Sequence, residues 1–218
     1  MENHDSRKRF AARLALLLAG LAVMALGVAL SIKAELGTSP ISSVPYVSGL
    51  ISGLSVGTTT IIVNSLFVLA QILMLRSQYD WYQLLQIPVA IVFGLMIDMF
   101  SLFMGDIVLS SYIQQWLFCA AGIIFVALGV SMEVTAELIT TAGEGLVLAI
   151  CQVTSFKFGN VKVAVDVTLV ILAAAASLLV LGELAGVREG TAAAAVLVGL
   201  LTKQFVKPLK HVKQKLAA

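Results

Sequence analysis

Charged residues are scarce in this chain of 218 residues, which contains 12% Asp, Glu, Lys and Arg against 60% hydrophobic residues. A soluble domain usually carries about 25% charged residues. Three long stretches have no charge at all, namely residues 14–32, 36–75 and 107–132. Because about 20 apolar residues span the hydrocarbon core of a bilayer, the sequence predicts an integral membrane protein without a soluble domain.

Cysteine and histidine are also rare, with two residues of each. Cys119 and Cys151 lie in apolar segments and lack the spacing of metal ligands, while His4 and His211 lie in the polar tails. The sequence contains no phosphate-cradling glycine loop, no nucleophile motif and no nucleic-acid-binding motif. We therefore expect no enzyme activity, no cofactor, no metal site and no nucleic-acid partner.

Positive charge is concentrated at the two ends of the chain. Four basic residues lie before residue 14 and five lie from residue 203 onward, whereas the segments between hold few. Cytoplasmic segments of membrane proteins are enriched in Lys and Arg. Both termini are therefore predicted to be cytoplasmic.

Parts of the first half of the chain recur in the second half. Residues 20–28 and 34–36 match residues 122–130 and 136–138 at a constant offset of 102. Self-similarity of this kind predicts duplication with divergence. Ligands of duplicated membrane proteins usually bind between the repeats, so we expect the site there. The predicted repeats are residues 1–105 and 106–218, the second with a basic C-terminal tail.

The hydrophobic runs and turn signals predict eight helices, near residues 10–32, 40–53, 57–75, 81–104, 111–132, 141–156, 159–182 and 190–206. The second and sixth are about 16 residues or ~24 Å long, which is short for a core of ~30 Å. If both cross, the protein has eight spans and parallel repeats. If both re-enter, it has six spans and inverted repeats. We favour eight tilted or broken spans.

The predicted fold class is thus an all-α polytopic membrane helical bundle, built from two duplicated repeats of about four helices each. A charged group inside such a bundle is costly, and its usual explanation is functional. Glu144 is the strongest candidate, because it lies between Gly143 and Gly145 at the start of the sixth helix. Its aligned residue is Ser42. The alternative is a capping role, since an acid in the first turn stabilises a helix by about 0.3–1 kcal/mol.

Three further charged residues lie in apolar helices. Asp98 aligns with Lys203 at an offset of 105, and either a functional or a structural pairing role would explain it. Lys162 and Asp166 lie four residues apart, so they share one face of the seventh helix and either neutralise each other or belong to the site. Asp166 aligns with Asn64, which predicts that both repeats place a polar group at this depth.

Two helix starts carry hydroxyl groups at aligned positions. Thr38 and Ser39 precede the second helix, and Thr140 and Thr141 precede the sixth. The first turn of a helix has unpaired N–H groups and a positive dipole end, which together favour anions. Short helices that point their starts at a substrate are found in many transporters. Ordinary capping is the alternative explanation.

The chain resembles the YczE/YitT family of bacterial inner-membrane proteins. The residues that carry the resemblance are 34–40, Asn64, the Gly94-x-x-x-Asp98 pattern and 140–144. In the last of these, Ala142 stands where that family has Gly, and Glu144 supplies the acid in place of Asp. The resemblance implies a compact, duplicated helical protein that crosses the bacterial inner membrane several times. It leaves the activity open.

These observations favour a secondary transporter of a small polar or charged metabolite. Its substrate or coupling ion is predicted to bind Glu144, Asp166, Lys162, Asn64, Asp98, Thr38, Ser39, Thr140 and Thr141. The alternative is a non-transporting accessory or scaffold protein of a biosynthetic or regulatory system. The expected partners are the lipid bilayer and a small-molecule or ion substrate, with a homodimer left open.

Overall fold

The computed structural model describes the backbone of residues 2–217 and the side chains of Arg7 and residues 9–209. It contains eight α-helices, which we number α1 (Glu2–Ala34), α2 (Pro40–Ser52), α3 (Val56–Leu75), α4 (Gln86–Phe103), α5 (Tyr112–Ala136), α6 (Ala142–Thr154), α7 (Phe158–Leu181) and α8 (Glu189–Ala217). Two 3-10 turns, Arg76–Gln78 and Trp81–Leu85, join α3 to α4. No described residue lies in a strand, and the all-α membrane bundle is confirmed.

Six of the helices are long and apolar enough to cross a membrane, namely α1, α3, α4, α5, α7 and α8. Large apolar side chains such as Leu102, Leu179 and Val163 project from them and are more than half exposed. Lipid tails satisfy such side chains as well as a protein core does. The protein is therefore a multi-pass membrane protein.

Contacts near the helix ends give the direction of α1, α4 and α5. The Nε atom of Arg13, early in α1, donates to the carbonyl oxygen of Ala136 at the end of α5, at 2.7 Å. The two helices are therefore antiparallel. The Nζ atom of Lys33, late in α1, donates to the carbonyl oxygen of Gly105, just after α4, at 3.1 Å. We call the end of the bundle at which α1 begins the terminal face, and the opposite end the distal face.

The directions of α3 and α8 follow from two contacts at the distal face. The N–H of Gly57, at the start of α3, donates to Oδ1 of Asp98 near the end of α4, at 2.7 Å. The N–H of Gly190, at the start of α8, donates to the carbonyl oxygen of Leu36, just after α1, at 2.8 Å. The long helices thus alternate in direction along the chain, and α8 runs back towards the terminal face.

The short helices α2 and α6 do not cross the bundle. Helix α2 lies between the end of α1 and the start of α3, both at the distal face, and α6 lies between the end of α5 and the start of α7, both at the terminal face. Each has 13 residues, or about 20 Å, against a core of ~30 Å. The expectation of eight spans in parallel repeats is therefore corrected to six spans in two halves of opposite direction.

The bounds of the helices recur at the offset of 102 residues. Helices α2 and α6 begin and end at aligned residues, and α1 and α5 both end immediately before an aligned glutamate. These glutamates, Glu35 and Glu137, have φ angles of 58° and 48°, a left-handed conformation that few residues other than glycine adopt. The common origin of the two halves stays a prediction, but their backbones follow the same plan.

Helices α1 and α5 pack closely at the centre of the bundle through four glycines. A Cβ atom on Gly27 would lie 2.8 Å from the carbonyl oxygen of Gly122, and one on Gly129 would lie 2.6 Å from that of Gly20. Gly20 aligns with Gly122, and Gly27 aligns with Gly129. Exchanging the two halves therefore turns the contact between Gly27 and Gly122 into the contact between Gly129 and Gly20. That exchange is the pattern that a twofold axis between the two helices produces.

Candidate functional site

A cavity of about 520 Å³ lies between the two halves of the bundle. The starts of α2 and α6 approach it from opposite faces, and there Ile41 packs directly against Gly143, its aligned residue. Residues of the central helices, including Met24 and Val126, line the same space. The polar and charged residues that line it are Ser39, Ser42, Thr60, Asn64, Gln86, Thr141, Glu144, Lys162, Asp166, Thr202 and Lys203.

Both short helices present uncapped starts to this cavity. Ser39 and Thr141 precede them with almost identical backbone angles, φ −60° and ψ 152° against φ −59° and ψ 153°, and neither side chain caps its helix. The Oγ atom of Ser39 instead bonds Oγ of Ser42 at 3.0 Å. First-turn N–H groups that lack a cap, together with the helix dipole, make the start of α2 electropositive. At the start of α6, Glu144 in the first turn offsets this charge.

The charges of α7 form an ion pair at the edge of the cavity. The Nζ atom of Lys162 donates to Oδ1 of Asp166 at 2.6 Å, and both side chains are partly buried. The predicted neutralisation of one by the other therefore occurs within α7. Lys203 of α8 lines the cavity as well. On the opposite side, Asn64 donates to the carbonyl oxygen of Thr60, and its amide oxygen accepts no hydrogen bond from a described residue.

Glu144 extends from the first turn of α6 and makes no hydrogen bond or salt bridge with a described residue. A Thr-x-x-Glu sequence such as 141–144 usually forms a capping box, in which the glutamate accepts the N–H of the cap residue. Here the N–H of Thr141 donates to Oε1 of Glu133 from α5, at 2.6 Å. Glu133 thus occupies the position that Glu144 would take in a capping box, and Glu144 remains available to the cavity.

Three predicted site residues lie outside the cavity. Asp98 is at the distal end of α4, where it accepts from Ser55 at 2.6 Å and from Gly57 and so joins α4 to the start of α3. Thr38 is 1% exposed, and its hydroxyl has no partner among the described residues. Thr140 is exposed. The cavity therefore brings together six of the nine predicted residues, namely Glu144, Asp166, Lys162, Asn64, Ser39 and Thr141.

Comparison with known proteins places the sequence in a family. Residues 11–207 match the model of a family of unknown function, DUF6198. The chain belongs to this family. No curated protein and no solved structure matches it. The resemblance to the YczE/YitT family stays a prediction.

In this DUF6198 member, sequence reasoning missed a polar group between α3, α4 and α6. Gln71 and Gln86 are fully buried and pair with each other, and Nε2 of Gln71 also donates to the carbonyl oxygen of Ala142 at 3.1 Å. Two amides in one apolar environment are each other's natural partners. The signal in the sequence was weak, because the two residues are uncharged and each lies at the end of a helix.

Glu133 is the other residue that the sequence analysis missed. It is 3% exposed, and its second carboxylate oxygen has no partner among the described residues. It follows the uncharged stretch 107–132, and the predicted fifth helix ended immediately before it. In the structure, however, the chain after α5 folds back so that Thr141 meets Glu133 inside the bundle. Only the re-entrant path of α6 explains its burial.

Proposed function

We propose that this protein is a secondary transporter of a small polar or charged metabolite, which binds in the cavity between the two halves. The observation that carries the proposal is the meeting of two half-length helices, start to start, inside a six-span bundle. Polar groups buried at membrane depth are costly and mark substrate or ion pathways. The cavity volume of about 520 Å³ lies within the roughly 300–1,000 Å³ range of small-molecule sites.

The residues around the cavity suggest how such a metabolite binds. The uncapped start of α2, which has no acidic residue in its first turn, attracts a carboxylate or another anionic group. Glu144, which makes no hydrogen bond or salt bridge with a described residue, attracts a cationic group on the opposite end of the ligand. A small molecule with both charges satisfies both sets of groups, whereas an apolar molecule leaves them unpaired at a cost of several kcal/mol. No nucleotide-binding motif is present in the sequence, so we expect transport to be coupled to an ion gradient or to be uncoupled.

Ligand-induced stabilisation tests this proposal with a panel of candidate metabolites. The purified protein is heated with each of a series of amino acids, carboxylates and amines. A ligand at 100 times its Kd raises the free energy of unfolding by about 2.7 kcal/mol. We expect a ligand with both charges to stabilise the parent and to cross proteoliposome membranes that contain it. A panel without stabilisation or flux would instead favour the accessory or scaffold alternative.

We further propose that the terminal face is cytoplasmic, in the bacterial inner membrane. The described basic residues near this face include Arg13, Arg76, Lys157 and Lys207, whereas Lys33 and Arg188 lie near the distal face. Such an excess favours the cytoplasm. Reporters fused to residue 1 and residue 218 should both report the cytoplasm. A reporter at the turn between α4 and α5 should report the outside, and any other combination contradicts the assignment.

A further inference from the structure

The main packing contacts of the first half have counterparts in the second half, with one large exception. Helix α1 packs on α4 as α5 packs on α8, and α6 packs on α3 as α2 packs on α7. Helix α3 also packs along α4, whereas α7 and α8 share almost no contact over the residues that the structure describes. The two halves therefore differ at one helix pair, although their backbones follow the same plan.

The α3–α4 contact is a tight seam at the distal face. A Cβ atom on Gly94 would lie 2.6 Å from the carbonyl oxygen of Gly57, which is closer than any side chain permits. Asp98 holds the seam, because its carboxylate accepts from the N–H of Gly57 and from the hydroxyl of Ser55. A carboxylate at the start of a helix is favourable, since it meets the positive end of the dipole.

The α7–α8 pair is open at the aligned positions. Gly159 aligns with Gly57 and Gly199 with Gly94, and a Cβ atom on either would meet nothing within 4 Å. Both glycines line the cavity, together with Phe158 and Lys203. Because α7 begins at the terminal face, the cavity reaches that face between α7 and α8, while the α3–α4 seam closes it towards the distal face.

We infer that the α3–α4 seam and the α7–α8 gap are two gates that close alternately. In the second state, Gly159 packs against Gly199 and Gly57 separates from Gly94, so that the cavity opens to the distal face. The inference rests on the proposed function, because alternating gates serve transport. Its physical ground is that both helix pairs carry glycines at aligned positions, so the packing that closes one pair is available to the other.

Unequal charges set the balance between the two states. Asp98 stabilises the closed α3–α4 seam, but the aligned residue in α8 is Lys203. Closure of α7 on α8 brings that cation towards the start of α7, next to Lys157, where the helix dipole disfavours positive charge. The state with the α7–α8 gate open is therefore the resting state, and removal of Asp98 shifts the equilibrium towards the other state.

Cross-linking across the open gate tests the inference without any substrate. Cysteines replace Val163 of α7 and Ala195 of α8, which both line the cavity, in a chain that carries Cys119→Ala and Cys151→Ala. Gly159 and Gly199 are kept, because the closed gate has no room for a side chain at these positions. A short bismaleimide is added to the protein in proteoliposomes. Asp98→Asn removes a charge-assisted hydrogen bond, a change that typically shifts an equilibrium by about tenfold or more. We expect the cross-linking rate to rise by about that factor, and Lys203→Asp to raise it as well.

A control pair shows whether the effect is specific. Cysteines at Gln78 and Gln152, whose side-chain amides are already 3.5 Å apart at the terminal face, should cross-link at a rate that Asp98→Asn leaves unchanged. An unchanged rate at the 163–195 pair in both charge variants overturns the gate. Equal acceleration of the control pair overturns it too, because it indicates general loosening. Accelerated cross-linking without metabolite flux supports the gate and contradicts only the proposed transport.

Discussion

The start of α2 meets the cavity with hydroxyl groups, whereas the start of α6 meets it with a carboxylate. Ser39 and Thr141 have the same backbone conformation, yet Ser42 in the first turn of α2 corresponds to Glu144 in the first turn of α6. The long helices that precede α2 and α6 differ in the same way, since Ser31 of α1 corresponds to Glu133 of α5. One backbone plan has thus been given an uncharged helix start in the first half and a charged helix start in the second. A molecule in the cavity lies between two different chemical surfaces.

A second difference follows the same division. The first half is closed where α3 meets α4, and the second half is open where α7 faces α8. An equal backbone plan therefore does not imply equal packing, because side chains at aligned positions decide whether two helices approach. Substitutions at four places test how strongly these differences affect metabolite flux and stability.

The largest expected effect concerns the charge at the start of α6. We expect Glu144→Gln to lower metabolite flux in proteoliposomes by about 100-fold or more, the loss typical of an unpaired buried charge on the ligand. Membrane yield and thermal stability should change little, because Glu144 makes no hydrogen bond or salt bridge with a described residue. Glu183→Gln, in the exposed turn after α7, is the matched control. Full flux in the Glu144 variant would leave this residue without a role in the site.

The next effect contrasts the closed seam with the open gate. We expect Gly94→Val to lower the free energy of unfolding by about 3 kcal/mol, since it forces α3 and α4 apart. Gly199→Val, the aligned change, should alter it by less than about 0.5 kcal/mol because the site is open. Thermal unfolding in detergent measures both. Equal loss in both variants would indicate that α7 and α8 are packed together in the protein.

The ion pair of α7 gives an intermediate effect. Lys162→Met leaves Asp166 unpaired and should destabilise the protein by about 2 kcal/mol, less than the roughly 3–5 kcal/mol of fully buried pairs, since the Lys162 side chain is 30% exposed. Adding Asp166→Leu should restore the membrane yield. If the double variant is stable but inactive, the pair belongs to the site. If Lys162→Met alone matches the parent in yield, the pairing contributes nothing.

The smallest effect concerns the hydrogen bond that positions the start of α6. Glu133→Ala leaves the N–H of Thr141 without an acceptor and should cost about 1–2 kcal/mol. Glu133→Gln keeps an acceptor and should cost less than half of that. Thermal unfolding of the two variants separates them. Equal destabilisation would show that the charge of Glu133, rather than its bond to Thr141, stabilises the bundle.

Much of this protein was predictable from the sequence, because local physics governs it. Uncharged stretches of about 20 residues must be helical in a bilayer, so the helices could be located to within a few residues except at the ends of the chain. Glu144, Ser39 and Thr141 could be identified because polar groups are conspicuous in apolar surroundings, whereas the adjacent Thr38 and Thr140 lie outside the cavity. Asp98 was equally conspicuous, but its partners at Ser55 and Gly57 lie on another helix and could not be read from the pattern.

What the sequence determined by itself is the class of the protein, the order of its helices and the position of a charge in only one half. These depend on composition, periodicity and alignment within the chain. The tertiary structure alone decided that α2 and α6 return to the face from which they entered, that Glu133 rather than Glu144 bonds the N–H of Thr141, and that α3 and α4 meet while α7 and α8 do not. Each of these depends on contacts between residues distant in the chain, whose energies no local pattern encodes.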